Sequence, residues 1–185
     1  MLEVIDTGRS SASHPIPLLF VHGAWHGAWC WDEYFLKFFA DRGYRALALS
    51  LRGHGGSQTT EPLRTCSIAD YVADVESVAE KLPASPVVIG HSMGGLVVQK
   101  YLESRNAPAG VLVASTPPRG IVGSWLRAMK RHPWNTTRTT MTGKSLRGVN
   151  TPRLARESLF SPKTPEITRR AVRRATRGRG RTGHA

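Results

Sequence analysis

The chain has 185 residues, 40% of them hydrophobic and 21% charged, which is room for one domain with a buried core and too apolar for a disordered chain. Its two cysteines, Cys30 and Cys66, exclude a disulfide framework and lack zinc-ligand spacing. No run of 18 apolar residues exists, which excludes a membrane span, and the first ten residues carry two acids and no apolar stretch, unlike a secretory leader. These features predict a soluble, cytoplasmic protein with reduced cysteines.

The net charge of +13 is unevenly placed. Residues 1–118 hold 9 Lys+Arg against 11 Asp+Glu, and residues 119–185 hold 17 against 2. The basicity belongs to the last third alone. The pI of about 10.8 therefore averages an ordinary first part with a strongly basic second part, and no nucleic-acid partner is expected from it.

In chain order, Leu2 to Ile5 reads as a possible first strand. Pro17 to Val21 is a continuous apolar run and predicts a buried strand. Trp31 to Ala40 has apolar residues at helical spacing and stops at Gly43, predicting a helix. Tyr44 to Leu51 is the next strand. Ser67 opens a capping box in which Asp70 stands for the usual Glu or Gln, and Ile68, Val72, Val75, Ala79 and Leu82 form the apolar face of the helix that follows. Val87 to Gly90 is a third buried strand, Leu96 to Glu103 a helix, and Gly110 to Ala114 a fourth buried strand. Strands alternating with helices predict an α/β fold: a parallel sheet with helices on both faces.

Beyond Pro117-Pro118 the character changes. Residues 121–131 read as an amphipathic helix, 152–160 and 165–177 as two further helix candidates, and the Arg/Gly/Thr-rich end as disordered from about residue 177. The expected organisation is a core over 1–120, a partial helical cap over 121–170 and an Arg-rich tail over 171–185.

Gly90-His91-Ser92-Met93-Gly94-Gly95 follows a predicted strand and opens a predicted helix. That is G-x-S-x-G in the context that gives it meaning. A serine on a tight strand-to-helix turn projects its hydroxyl from the sheet. The turn is strained and crowded, so Gly90 and Gly94 are needed beside it. The helix N-terminus behind Ser92 favours developing negative charge. The competing reading is a glycine-rich turn with a bystander serine.

The segments His22 to Trp31 (HGAWHGAWCW), Ser50 to Ser57 (SLRGHGGS) and Gly90 to Gly95 (GHSMGG) together resemble the α/β-hydrolase family, in its esterase and hydroxynitrile-lyase-like branch. The resemblance covers residues 1–120 and extends weakly to about 170. It implies that Ser92 is the nucleophile, that the backbone N–H groups of Ala24 and Met93 form an oxyanion hole, and that His22, Gly23, Gly90, His91 and Gly94 support the two loops. It implies no cofactor. His22 and His26 at i, i+4 have no accompanying carboxylate or third histidine, so a metal site is not expected, and His22 is expected to order its loop by hydrogen bonding. The Arg52–Ser57 loop supports the oxyanion loop by the same resemblance. It lacks the Lys-Ser/Thr of a phosphate loop, and His54, placed before the nucleophile, is not expected to be the base. Trp25, Trp29 and Trp31 read equally as a pocket wall or as packing under the first helix.

A serine nucleophile needs a base, and the base an orienting acid, which in this family follow in the order Ser, Asp/Glu, His. After Ser92 the acids are Glu103, Glu157 and Glu166, and the histidines His132 and His184. None follows a strand. The resemblance thus implies a chain truncated after four core strands and part of a cap. The expected function is hydrolysis of a small or lipid-like carboxylic ester by Ser92, impaired because no acid and histidine are evident. Two readings stand beside it: a non-catalytic remnant that binds a ligand, and a basic-tailed interaction protein. The tail itself reads either as out-of-frame translation of a GC-rich gene or as a segment attracted to anionic surfaces.

Overall fold

The computed structural model describes residues 1–118 and, beyond them, residues 126, 129, 130, 133, 134 and 137. The chain divides into two compact units, Met1–Arg119 and Gly120–Ala185. In the second unit, Leu126, Met129, Lys130, Pro133, Trp134 and Thr137 are helical, and Thr137 donates its hydroxyl proton to the Pro133 carbonyl. The expectations for 138–185, including two helix candidates, the disordered tail, Glu157, Glu166 and His184, lie outside the described residues, as does His132.

The first unit carries five strands: β1 (Val4–Thr7), β2 (Leu18–Val21), β3 (Ala46–Leu49), β4 (Val87–His91) and β5 (Gly110–Val113). Four helices accompany them: α1 (Trp29–Asp32), α2 (Phe35–Ala40), α3 (Ile68–Ala79) and α4 (Met93–Ser104). The sheet order is β1-β3-β2-β4-β5. β3, β2, β4 and β5 are mutually parallel, and β1 runs antiparallel to β3, with Val4 opposite Leu49. The expected parallel sheet is therefore mixed. Its antiparallel strand is formed by a segment of half-exposed, alternating residues, which suits an edge.

Side-chain alternation explains the two-sided core. Leu19 and Val21 face one way with Leu47, Leu49 and Val88. There they bury Tyr71, Val75 and Val78 of α3 and Val97, Val98 and Tyr101 of α4. Leu18 and Phe20 face the other way with Ala46, Ala48 and Ile89, against Ala28, Trp31 and Leu36. β2 and β3 are apolar at every position because both of their faces are covered.

Two helices differ from expectation. The stretch from Trp31 to Ala40 is two short helices, broken at Tyr34, whose φ of −144° is not helical. Trp31 and Leu36 are both buried. Five residues apart, they would lie about 140° round a single helix, and the break brings both to the sheet. In α3 the fully buried positions are Tyr71, Asp74, Val75, Val78 and Ala79, with Ile68, Val72 and Leu82 at the margin of the core. The buried face is rotated because Asp74 turns inward to meet Arg52. The capping box is as expected: Ser67 Oγ accepts from Asp70 N–H, and the Asp70 carboxylate accepts from Ser67 N–H at 2.8 Å.

β5 is an edge strand among the described residues, and its Val111, Leu112 and Val113 are 45, 47 and 40% exposed. No described helix is long and apolar enough to cross a membrane.

Candidate active site

Ser92 stands between β4 and α4 with φ 54° and ψ −117°. A non-glycine residue at positive φ is rare and costs of order 1–3 kcal/mol. Here the backbone is held from three sides. Ser92 N–H donates to the Val113 carbonyl at 3.1 Å, and the Ser92 carbonyl accepts from Gly95, Leu96 and Thr116 N–H at 3.0, 3.3 and 2.9 Å. The Gln99 amide anchors the segment after β5 through Ser115 Oγ at 2.7 Å and the Thr116 carbonyl at 3.2 Å. Gly90 and Gly94 are required by contact. A Cβ at Gly90 would run into the Gly94 carbonyl, and one at Gly94 into the Val21 and His22 carbonyls. The first turn of α4 therefore sits directly on the end of β2. Met93 is the first residue of α4, so its N–H is among those that the helix leaves without an internal acceptor.

The loop after β2 lies against this turn. A Cβ at Gly23 would stand 3.2 Å from Ser92 Cβ and 3.2 Å from His91 Nδ1. Gly23 is buried, while Ala24 and Ser92 are half-buried. His22 is fully buried. Its Nε2 receives the Leu51 N–H at 3.0 Å, and its Nδ1 lies 2.7 Å from the Gly23 carbonyl. A backbone N–H can only donate, so Nε2 is the lone-pair nitrogen and the ring proton is on Nδ1, donated to Gly23. Burial pushes the His22 pKa down to about 3, because the imidazolium would lose its water and turn a second N–H against Leu51. Both nitrogens of His22 are thus occupied, Nε2 by Leu51 N–H and Nδ1 by the Gly23 carbonyl. His54 reaches the next carbonyl: its Nε2 is 2.9 Å from Ala24 O and its Nδ1 3.0 Å from Arg52 O. His91 is half-buried, and desolvation lowers its pKa.

The Arg52–Ser57 loop is fastened by residues that the sequence patterns did not single out. Asp74 accepts the Arg52 N–H at 2.8 Å and its guanidinium at 2.7 Å. Glu3 accepts Gly56 N–H at 2.8 Å and the Ser50 hydroxyl at 2.5 Å, and Ser50 Oγ accepts Ala28 N–H at 2.8 Å. One carboxylate on β1's approach therefore ties together the Arg52–Ser57 loop and the start of α1. Charge pairing between distant segments leaves no periodic trace, which is why the sequence did not expose it.

The tryptophans divide. Trp31 is core, packed on Phe20 at 5.0 Å between ring centroids and edge-on to Phe35. Trp29 and Trp25 are half-buried, and Trp29 lies against His26. Of the triad candidates after Ser92, only Glu103 is described. It is exposed and ion-paired with Lys100 at 2.9 Å on the outer face of α4, so it orients no histidine. Among the described residues no histidine hydrogen-bonds Ser92 Oγ, and no group of three or more His, Cys, Asp or Glu side chains could hold a metal ion.

The model of the alpha/beta hydrolase family matches residues 18–184. A non-heme chloroperoxidase of Streptomyces lividans is 38% identical over 107 residues, covering 56% of this chain and 38% of that protein. Methylesterase 10 of Arabidopsis thaliana is 38% identical over 87 residues, 46% of this chain and 31% of that protein. An epoxide hydrolase from Vigna radiata shares the fold, with a TM-score of 0.73 and 22% identity over 98% of this chain and 64% of that one. The chain spans less than two fifths of the length of the curated relatives it matches. The chain belongs to the alpha/beta hydrolase family.

Proposed function

We propose that this alpha/beta hydrolase acts on a small or lipid-like carboxylic ester through Ser92, with no cofactor. The observation that carries the reading is the Ser92 turn. A strained serine at φ 54°, braced by two glycines that admit no side chain and seated at a helix N-terminus, is costly to keep. The reading assigns Ser92 Oγ the attack on the ester carbonyl: the Oγ–acyl bond forms, the C–O bond to the alcohol breaks, the alcohol leaves carrying a proton, and water then releases the acid and restores the hydroxyl. The oxyanion that forms takes hydrogen bonds from the Ala24 and Met93 N–H groups, and preorganised donors of this kind supply roughly 10²–10³ in rate each. His22, Gly23, Gly90, His91 and Gly94 hold the two loops in register. The Streptomyces chloroperoxidase and the Arabidopsis methylesterase matched above support the family chemistry, and the latter's name supports an ester as substrate.

A second reading, a ligand-binding protein without turnover, is favoured by one observation. Among the described residues no histidine backed by a carboxylate reaches Ser92. Hydrolysis of p-nitrophenyl acetate and butyrate by the full chain, against Ser92→Ala, separates the two. Turnover of either ester that Ser92→Ala abolishes supports the hydrolase. A rate equal to that of Ser92→Ala overturns it in favour of the binding protein.

A further inference from the structure

The two carbonyls that flank Ala24 are each taken by a histidine. Gly23 O faces His22 Nδ1 at 2.7 Å, and Ala24 O faces His54 Nε2 at 2.9 Å. Both rings are buried, and their centroids are 5.1 Å apart. His22 is itself fixed by the exit of β3 through Leu51 N–H, and His54 belongs to the loop that follows β3. The two peptide groups on either side of Ala24 are thus each faced by a histidine, His22 of the same loop and His54 of the Arg52–Ser57 loop.

We infer that His22 and His54 form a clamp that sets the orientation of the Ala24 N–H, which makes His22 a positioning residue for the oxyanion donor. This inference rests on the reading of Ala24 proposed above. Gly23 O and Ala24 N–H belong to one peptide group, and no peptide in the described structure is cis. In a trans peptide the two point in opposite directions. A hydrogen bond to Gly23 O from the His22 side therefore turns the Ala24 N–H away from His22. It also polarises the group, strengthening that N–H as a donor. Only the Nδ1–H tautomer does this. With the proton on Nε2, the ring would set N–H against Leu51 N–H and a lone pair against Gly23 O. His54 fixes the following peptide, so the Ala24 backbone cannot rotate at either end.

The side chain of His22 can be divided between two amides. In His22→Asn the amide nitrogen takes the place of Nδ1 and keeps a donor toward Gly23 O. In His22→Gln the terminal amide takes the place of Nε2, keeps the acceptor for Leu51 N–H and loses that donor. Three measurements on the full chain decide the matter. The first is the ¹⁵N spectrum of the histidine rings, where the clamp requires His22 protonated at Nδ1 and not Nε2, and His54 protonated at Nε2. The second is ester hydrolysis. His22→Gln is expected to lower kcat roughly 10²-fold with KM little changed, as for a misaligned catalytic group, and His22→Asn to stay within about tenfold of native. The third is amide exchange at Gly23 and Ala24, faster in His22→Gln than in His22→Asn. A His22 proton on Nε2, or Gln serving as well as Asn in exchange and turnover, overturns the clamp. If the native chain shows no Ser92-dependent hydrolysis, the hydrolase reading fails on its own. The ring protonation and amide exchange then decide the clamp: the pattern above upholds it, and any other refutes it.

Discussion

Gly94→Ala probes the contact that seats the Ser92 turn on the sheet. The new methyl group would stand 2.5 Å from the His22 carbonyl oxygen and closer still to that of Val21. Both are main-chain atoms at the end of β2, a fully buried strand, so no rotamer change relieves them. Either the first turn of α4 or the end of β2 has to shift by about 1 Å to restore normal contact. Overpacking of this kind costs about 1–3 kcal/mol, and the absence of any flexible partner argues for the upper end. Gly94 lies in α4, so alanine also gains about 1 kcal/mol of helix propensity. The net loss is about 2 kcal/mol, a large part of the ~5–15 kcal/mol that holds a domain. At about 4 °C per kcal/mol for a unit the size of Met1–Arg119, Tm should fall by about 8 °C. Gly110→Ala is the control, because its methyl meets only the tip of Leu102, which can rotate away. Thermal unfolding followed by circular dichroism compares the two. A Gly94→Ala protein that melts with native, or no lower than Gly110→Ala, would falsify the close seating of the turn on β2.

Three further outcomes follow from the structure. The depressed pKa of His22, about 3 against the ordinary 6.5, means that between those values the unfolded chain binds a proton that the native one refuses. Its contribution is fully present above pH 6.5 and declines by up to about 1.4 kcal/mol per unit as pH falls through that window. Urea midpoints at pH 7 and pH 5 should therefore drop more for native protein than for His22→Asn, and an equal drop in both contradicts the burial. Asp74→Ala leaves the Arg52 guanidinium and N–H without their buried acceptor and should cost about 2–3 kcal/mol in urea denaturation, the partly exposed Arg52 keeping it below the cost of a fully buried pair. A loss under 0.5 kcal/mol would show that the pair does not hold the loop. Val111, Leu112 and Val113 make an apolar edge open on both faces, a template for strand pairing between molecules. Leu112→Lys should raise the concentration at which light scattering begins without lowering Tm, and no change would mean that β5 is covered in solution.

Most of the first unit was legible because its central strands are apolar at every position and its loops carry glycine where the backbone demands it. The pattern around Gly90 to Gly95 predicted both the turn and the helix that starts at Met93. What escaped the sequence was of two kinds. Tyr34 carries no breaker signal, and the split between α1 and α2 arises from the need to bury Trp31 and Leu36 on one sheet face. Asp74, Glu3 and Ser50 are polar residues whose partners lie about 20 to 55 positions away. Only the folded chain shows that they fasten the Arg52–Ser57 loop, whose His54 lies against the loop after β2. His22 was expected to order its loop, but its tautomer needed the Leu51 N–H on the other nitrogen. The second unit, residues 120–185, holds 16 basic residues against 2 acidic, and of its stretches 121–131 offered a helical period, with Leu126, Met129 and Lys130 helical.

The central claim is that Ser92 is a nucleophile, and a fluorophosphonate tests it without reference to substrate. Attack forms an Oγ–P bond and breaks the P–F bond, with fluoride leaving and the hydroxyl proton passing to solvent. The full chain should gain the mass of one phosphonyl group, mapped by peptide mass spectrometry to the segment containing Ser92, and Ser92→Ala should gain none. Unmodified native protein under conditions that label a working serine hydrolase, or a label carried equally by Ser92→Ala, would contradict the account.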